Sequence, residues 1–108
     1  METNGNIFGN IPGKIPDEIT ELLIKSGEVR IERIISNGQS SPDNFWYDQD
    51  ENEWVLLLKG HAELLFEEKS KSVSLNSGDY INIPAHVKHK VIKTEKDKPT
   101  IWLAIFYS

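Results

Sequence analysis

A chain of 108 residues with no cysteine and a formal net charge of −5 has room for one domain. The absence of cysteine excludes a disulfide framework, a zinc ribbon and a thiol nucleophile. The excess of 17 acidic over 12 basic residues argues against nucleic acid as a partner, because phosphate-binding domains carry a basic stripe. The sequence shows neither a signal peptide nor an apolar run near the ~20 residues that span a bilayer, so we expect a cytoplasmic protein that does not bind membranes.

Residues 1–28 are predicted to form an arm followed by one short helix. Residues 1–15 are rich in Asn, Gly and Pro and lack periodicity, which is typical of a loop. Over residues 16–27, Ile19 and the leucines at i+3 and i+4 form one apolar stripe. Acidic residues stand in the first turn, and Gly27 stands where a left-handed residue ends a helix. These signals predict a helix that packs one face on the rest of the domain.

From residue 29 to residue 108 the sequence predicts strands and turns of one barrel. Short β-branched or alternating segments occur at 29–35, 53–59, 62–67, 73–75, 80–83, 86–93 and 100–107. They are separated by Gly, Pro, Asn and Asp, which favour turns. Six or seven short strands with this punctuation indicate an all-β sandwich or barrel.

Two of these strands are apolar on both faces, at residues 54–58 and 101–107. A strand of a small barrel has only one face inside, so the other face must be covered as well. The N-terminal helix could cover part of it. A second subunit is the other explanation, because monomers seldom expose large apolar patches. We therefore expect a homodimer.

Two segments resemble the paired motifs of the cupin superfamily. Residues 53–60 follow E-x6-G, the second half of the first motif, G-x5-H-x-H-x3,4-E-x6-G. Further along, Gly78, Pro84 and His89 match the anchors of the second motif, G-x5-P-x-G-x2-H-x3-N, although His86 replaces its middle glycine. The chain is similar to small single-domain cupins. This resemblance implies a double-stranded β-helix, or jelly-roll barrel, often dimeric, with any site in the barrel mouth.

The family's metal is held by the two histidines of the first motif, its glutamate and the later histidine, and the histidine pair is missing here. If three residues precede Glu53, the pair corresponds to Tyr47 and Gln49; if four do, it corresponds to Trp46 and Asp48. The first register keeps Tyr47, Gln49 and Glu53 on one face of a strand. Asp48 is chemically the better ligand for a divalent metal, so both registers stay open.

His89 and Glu53 are the strongest candidate site residues. His89 shares its strand parity with Val87 and Val91, which turns the imidazole inward. It could be a metal ligand, a proton carrier or a core histidine bonded to a backbone carbonyl. Glu53 opens an apolar run and needs a partner if buried. It could face His89 as a metal ligand or a general acid–base partner, or it could lie in water at the solvent-exposed end of its strand.

Three further polar side chains are expected to play lesser parts. His86 follows a Pro-Ala turn and is expected at the rim of the barrel. His61 shares a face with Glu63 and is expected on the solvent side. Arg33 has the parity of apolar neighbours, so it could lie inside or at the rim and bind an anionic ligand. An ordinary surface ion pair with Glu32 or its neighbours is the alternative.

Three functions are compatible with these residues. The first is a cupin that binds Mn, Fe, Ni or Zn through Glu53, His89, Gln49 and Tyr47 and acts on a small molecule as an oxygenase, isomerase or similar enzyme. The second is a metal-free module that binds a small ligand in the barrel mouth. The third is a structural or regulatory dimer without catalysis. Fold resemblance alone does not choose among them.

Overall fold

The computed structural model describes residues 4–68 and 71–108, which form two antiparallel β-sheets and contain no helix. The strands are β1 (Ile19–Ser26), β2 (Val29–Ser36), β3 (Asn52–Lys59), β4 (His61–Phe66), β5 (Lys71–Asn76), β6 (Tyr80–Ile83), β7 (His89–Thr94) and β8 (Thr100–Tyr107). One sheet has the order β1-β2-β8-β3-β6 and the other β5-β4-β7. The predicted all-β barrel is confirmed. Within the described residues there is no helix that could cross a membrane.

The predicted N-terminal helix is wrong, because this segment forms β1. Ser26 pairs with Val29 across a tight hairpin, and Gly27 adopts φ +57° in the turn. The same left-handed conformation ends helices and closes two-residue hairpins, so Gly27 alone could not distinguish the two structures. A bulge between Leu22 and Ile24 shifts the strand by one residue. The apolar stripe predicted for the helix is therefore divided between the two faces of the strand, since Ile19 pairs with Ile35 and Leu22 with Glu32.

The hydrophobic core lies between the facing sides of the two sheets. Its buried members are Val55, Leu57, Ala62, Leu64, Leu75, Ile83, Trp102, Ala104 and Phe106. Burying a large apolar side chain contributes about 1.5–3 kcal/mol, so this core supplies much of the stability of the fold. The core also sets the strand parity: on β3 and β8 one set of alternating residues faces the second sheet, and the other set faces outward.

The outer face of the five-stranded sheet is covered in part by the N-terminal arm, which Arg33 holds in place. The guanidinium is 7% exposed and pairs with Glu21, with 2.7 Å between Nε and Oε1. Its Nη1 donates to the carbonyl oxygens of Ile7 at 3.1 Å and Gly9 at 2.6 Å. The expected pair with Glu32 does not form, because Glu32 has the opposite parity on β2 and lies on the barrel side. Arg33 is therefore a structural residue on the face away from the barrel interior.

Candidate functional site

A cavity of about 180 Å³ opens between the two sheets. Its apolar walls include Val55, Leu64, Ile83, Val91, Trp102 and Phe106. Its polar lining consists of Glu18, Thr20, Glu32, Tyr47, Gln49, Glu53 and His89. Glu18, Thr20 and Tyr47 are solvent-exposed residues and therefore form its mouth. The structure thus brings all four predicted site residues, Tyr47, Gln49, Glu53 and His89, into one cavity.

Glu53 and His89 face each other across the barrel. Glu53 lies near the start of β3 on the inner face, between Phe106 of β8 and Ile83 of β6. His89 is the first residue of β7 in the other sheet. The side chains are 12% and 7% exposed, and His89 Nε2 lies 3.7 Å from Glu53 Oε1. The two sheets, rather than any local segment, hold this pair together.

The orientation of the His89 ring is determined by Val87. Nδ1 of His89 lies 2.8 Å from the Val87 carbonyl oxygen, which can only accept, so Nδ1 carries a proton. Nε2 is therefore the atom directed at the cavity and at Glu53. Burial alone would lower the pKa of His89, but the Glu53 carboxylate and the Val87 carbonyl raise it above its ordinary value. His89 can thus both accept and release a proton at Nε2.

Tyr47 and Gln49 support this pair from the loop before β3. Tyr47 forms a backbone bridge with His89, and the two rings stack with centroids 5.6 Å apart. The amide Nε2 of Gln49 donates to Glu53 Oε1 at 2.9 Å. Burial raises the pKa of Tyr47, as do the charges of Glu18 and Glu53, against the effect of a hydrogen bond with the Ser41 side chain. The phenol therefore stays protonated and can donate a hydrogen bond to a ligand.

The alternative register, Trp46 and Asp48, points away from the cavity. Asp48 Oδ1 lies 2.8 Å from Nδ1 of His86, whose side chain is 63% exposed. The Trp46 ring lies 4.7 Å from Nζ of Lys90. His86 is thus a rim residue bonded to an exposed carboxylate. It adopts φ +64°, which explains why the motif has glycine at this position.

Sequence reasoning missed Glu18, which reaches the cavity mouth from the segment before β1. Its carboxylate accepts a hydrogen bond from the Ser36 hydroxyl at 2.9 Å. Ser36 in turn accepts one from Nε1 of Trp102 at 3.2 Å. Burial raises the pKa of Glu18, and the nearby Glu53 charge raises it further, against the Ser36 hydrogen bond. No sequence signal could have found Glu18, because the segment carried a helical pattern.

Glu32 and Phe106 were also missed, although the alternation along β2 and β8 does indicate their inner face. Glu32 lies 2.9 Å from Nε of Arg30, whose Nη1 lies 3.0 Å from Glu51. The Arg30 guanidinium also stacks on the Phe106 ring, 4.2 Å from its centroid. Arg30 therefore covers the barrel wall beside Phe106. Its positive charge is balanced by the carboxylates of Glu32 and Glu51.

A second histidine–carboxylate pair lies outside the barrel. His61 Nε2 is 3.9 Å from Glu63 Oε2, and His61 Nδ1 is 3.0 Å from Asn76 Oδ1. Ala62, between them, is buried in the core, so His61 and Glu63 lie on the other face of β4. The separation of His61 and Glu63 is similar to that of His89 and Glu53, but His61 and Glu63 lie outside the cavity.

The residues present do not fit the metal centre of the resembling family. In residues 4–68 and 71–108, no three histidine, aspartate or glutamate side chains come together as a metal site. His89 and Glu53 supply two donors, while Gln49 turns its amide nitrogen, not its oxygen, toward Glu53. Tyr47 is held as a neutral phenol, which is a poor ligand. Two ionisable groups and two neutral hydrogen-bonding groups therefore meet at this end of the cavity.

The family model described as cupin domain matches residues 31–106. A comparison with curated proteins found no match. Among solved structures, a Ralstonia eutropha JMP134 protein named a "putative mannose-6-phosphate isomerase" is 40% identical, with 99% of each chain covered and a TM-score of 0.95.

More distant structures share the fold. A cupin superfamily protein from Desulfitobacterium hafniense DCB-2 is 20% identical, with 90% of this chain and 83% of that chain covered and a TM-score of 0.74. An RmlC-like cupin from Desulfovibrio desulfuricans is 15% identical, with 99% and 97% covered and a TM-score of 0.77. At these identities the likeness shows the barrel alone.

Proposed function

Since the chain belongs to the cupin domain family, we propose that its barrel binds a small hydroxy-carbonyl compound, such as a sugar. We propose further that Glu53 and His89 move protons on this compound as an isomerase does. The observation that carries the proposal is the 3.7 Å separation of His89 Nε2 and Glu53 Oε1 inside a cavity of about 180 Å³. Two titratable groups sharing an apolar enclosure are typical of acid–base sites.

The cavity has the size and the chemistry for such a ligand. Its volume of about 180 Å³ exceeds that of apolar cavities of ~150 Å³ that bind benzene. The aromatic walls, Trp102 and Phe106, offer flat apolar surfaces to the C–H face of a sugar ring. The end of the cavity that holds Glu53 and His89 is its polar end. There, Tyr47 and His89 can donate hydrogen bonds to hydroxyl groups or accept hydrogen bonds from them. This division between apolar walls and a few polar groups is common to small-molecule sites.

Isomerisation needs two proton movements that these residues can supply. Glu53 removes the proton from the hydroxyl-bearing carbon next to the carbonyl, while protonated His89 donates its Nε2 proton to the carbonyl oxygen, which gives an enediol. Neutral His89 then takes the proton from the other enediol hydroxyl as the new carbonyl forms. Glu53 returns its proton to the former carbonyl carbon, so both residues end in their starting protonation states. Because substrate and product are isomers, atoms and electrons balance without an external oxidant or hydride donor.

The relative from Ralstonia eutropha supports this reaction class. That protein carries the name of a sugar phosphate isomerase and is 40% identical over 99% of both chains. Its name supports an aldose–ketose isomerisation as the reaction class on this fold. The name of that relative does not decide whether the ligand of the present chain carries a phosphate group.

Hydrogen–deuterium exchange would test the proposal directly. Mannose or fructose is incubated with the protein in D₂O, and the loss of the proton signals at C2 and C1 is followed by NMR. The wild type should accelerate exchange, because the enediol takes up solvent deuterium. Glu53→Gln and His89→Gln should each reduce the exchange rate at least about 100-fold, the usual contribution of one acid–base group.

The outer pair provides a matched control. His61→Gln and Glu63→Gln change the same residue types at a similar separation, outside the cavity, and should leave the exchange rate within about twofold. Binding of a sugar without exchange in the wild type would favour a metal-free binding module instead. Failure of both binding and exchange for hexoses and pentoses would contradict the proposal.

A divalent metal is the competing possibility and has its own test. The metal-stripped protein is titrated with Mn, Ni and Zn by calorimetry, with His89→Ala and His61→Ala in parallel. Because only two donors come together, we expect no stoichiometric binding at micromolar metal. Tight uptake that His89→Ala abolishes and His61→Ala leaves intact would instead establish a metal centre at Glu53 and His89.

A further inference from the structure

The cavity lining, as far as the structure describes it, holds three carboxylates and one basic side chain, His89. Glu18, Glu32 and Glu53 contribute carboxylates to its lining. Among the residues that the structure describes, no lysine or arginine lines it. A phosphate group, with a charge near −2 at neutral pH, would therefore meet like charges at the mouth and at the polar end. Like charges a few ångströms apart in a partly enclosed site repel by more than in bulk water.

The nearest guanidinium does not change this balance. Arg30 lies beside Phe106 at the wall, 2.9 Å from Glu32 and 3.0 Å from Glu51. Both carboxylates would have to be displaced before Arg30 could bind a phosphate in the bidentate manner typical of arginine. Arg33 is on the other face of the sheet and is occupied by Glu21 and the N-terminal arm.

The loose pairing of His89 with Glu53 is a second observation that bears on the ligand. His89 is 6% exposed, and its Nε2 has no hydrogen-bond partner within 3.5 Å, since the nearest carboxylate oxygen lies at 3.7 Å. The 3.7 Å separation is longer than a direct hydrogen bond, so Nε2 of His89 is open to a hydrogen bond with a bound group. A hydroxyl group fits this position well. It can donate to Nε2 or to a carboxylate and accept from the Tyr47 phenol.

We infer that the ligand of the cavity is a hydroxylated compound without a phosphate group, and that Glu18 enforces this choice at the mouth. The inference rests on the proposed function and narrows its substrate class. Glu18 is suited to such discrimination, because its carboxylate is the charged group among the exposed residues that the structure places at the cavity mouth. The chain would thus differ in substrate from an isomerase of sugar phosphates.

Binding of two matched pairs of compounds tests the inference. Mannose and mannose 6-phosphate, and fructose and fructose 6-phosphate, are titrated against the wild type at low ionic strength. Binding is followed by intrinsic tryptophan fluorescence, to which Trp102 in the cavity wall contributes. The unphosphorylated member of each pair should bind at least about tenfold more tightly. Added salt should reduce the difference in affinity between the two members of each pair, because screening weakens charge repulsion between exposed groups.

Variants at Glu18 identify the source of the selectivity. Glu18→Gln should improve the affinity for the phosphate ester, relative to that for the free sugar, about three- to tenfold, as expected for the loss of one partly screened charge. Glu18→Lys should improve it further. Glu28→Gln is the control, since it removes one charge from an exposed turn and should change neither affinity.

The outcomes separate the inference from the proposed function. Equal or tighter binding of the phosphate esters by the wild type would overturn the inference while leaving the isomerase proposal intact. Selectivity that survives both Glu18 variants would overturn the role given to Glu18. Failure of all four compounds to bind would contradict the proposed function, and with it the narrower statement about its substrate.

Discussion

Tyr47 and His89, which are 42 positions apart in the sequence, are joined by two backbone hydrogen bonds. The Tyr47 N–H donates to the His89 carbonyl at 2.8 Å, and the His89 N–H donates to the Tyr47 carbonyl at 3.2 Å. Their rings stack above this bridge. The loop before β3 is therefore attached to β7 at the point where the catalytic histidine is proposed to act. The position of His89 depends on the Tyr47 backbone and not on its hydroxyl group.

Tyr47→Phe should separate ligand binding from folding. The variant keeps the backbone bridge and the ring stacking, so the free energy of unfolding in urea should change by less than about 0.5 kcal/mol. The affinity for a free sugar should fall about three- to tenfold, because one hydrogen bond to the ligand is lost. Parallel measurements of urea unfolding and fluorescence binding check this. An unchanged affinity would mean that the phenol does not contact the ligand.

The titration of Glu18 predicts a pH dependence of stability. The pKa of Glu18 is raised in the folded protein, so the folded state holds this proton more tightly than the unfolded chain does. This contribution to stability is fully present below the ordinary pKa of about 4.5 and is lost as pH rises through the folded pKa. Glu18→Gln stays neutral and keeps an acceptor for the Ser36 hydroxyl. It should therefore gain stability relative to the wild type as pH rises from 4 toward 7.

The gain should be smaller than about 1 kcal/mol, because Glu18 lies at the open mouth and solvent screens its charge. Urea unfolding at pH 4, 5, 6 and 7 measures it. Glu28→Gln, in the exposed β1–β2 turn, is the control and should follow the wild type. A difference that stays constant across these pH values would show that the Glu18 proton is not involved.

Gly60, the glycine of the first motif, has a steric role that a substitution can expose. It adopts φ +103°, and an added Cβ would lie 2.5 Å from Thr100 Oγ1 and 2.9 Å from Thr100 Cα. Gly78 adopts φ +94° with nothing within 4 Å of an added Cβ. Gly78→Ala should thus cost only the backbone strain, about 1–2 kcal/mol. Gly60→Ala should cost about 3 kcal/mol or more, since strands β3 and β8 must also separate.

Urea unfolding of both glycine variants provides the comparison. A similar loss in the two proteins would mean that the close approach to Thr100 relaxes without cost. A larger loss at Gly60 would account for the glycine at the end of E-x6-G as a packing requirement between neighbouring strands.

The uncovered part of the outer sheet face bears on the expected homodimer. One row across the five-stranded sheet consists of Ile24, Ile31, Ile105 and Trp54, paired in that order. Ile24 is 56% exposed, and the N-terminal arm is attached elsewhere, at Arg33. We propose that a second copy covers this row. An uncharged row suits self-association in a chain of net charge −5, whose copies otherwise repel.

Light scattering over a dilution series tests the homodimer. The wild type should have the mass of a dimer, and Ile24→Lys should have that of a folded monomer, because a buried unpaired charge opposes association. Ile92→Lys is the matched control: Ile92 is 40% exposed but lies on β7 of the other sheet, so the dimer should persist. A monomeric wild type at high concentration would show that the row stays exposed to solvent.

Much of the barrel could be predicted from the sequence, because strand parity and turn residues act locally. The bounds predicted for β6 and β8 agree with the structure. Strand β7 begins later than expected, at His89, because His86 adopts a turn conformation with positive φ. The prediction of an N-terminal helix was wrong because β1 forms its backbone hydrogen bonds with β2. This tertiary pairing outweighs the helical spacing of the leucines in β1.

The sequence by itself determined the all-β class, the inward parity of His89 and the loss of the histidine pair, since these depend on neighbours along one strand or motif. Only the tertiary structure decided which carboxylates share the cavity. Glu18, Glu53 and His89 come from three separate parts of the chain, and their distances depend on how the two sheets pack. The sign of the charge around a ligand is a property of that packing. No periodicity in the sequence could therefore predict it.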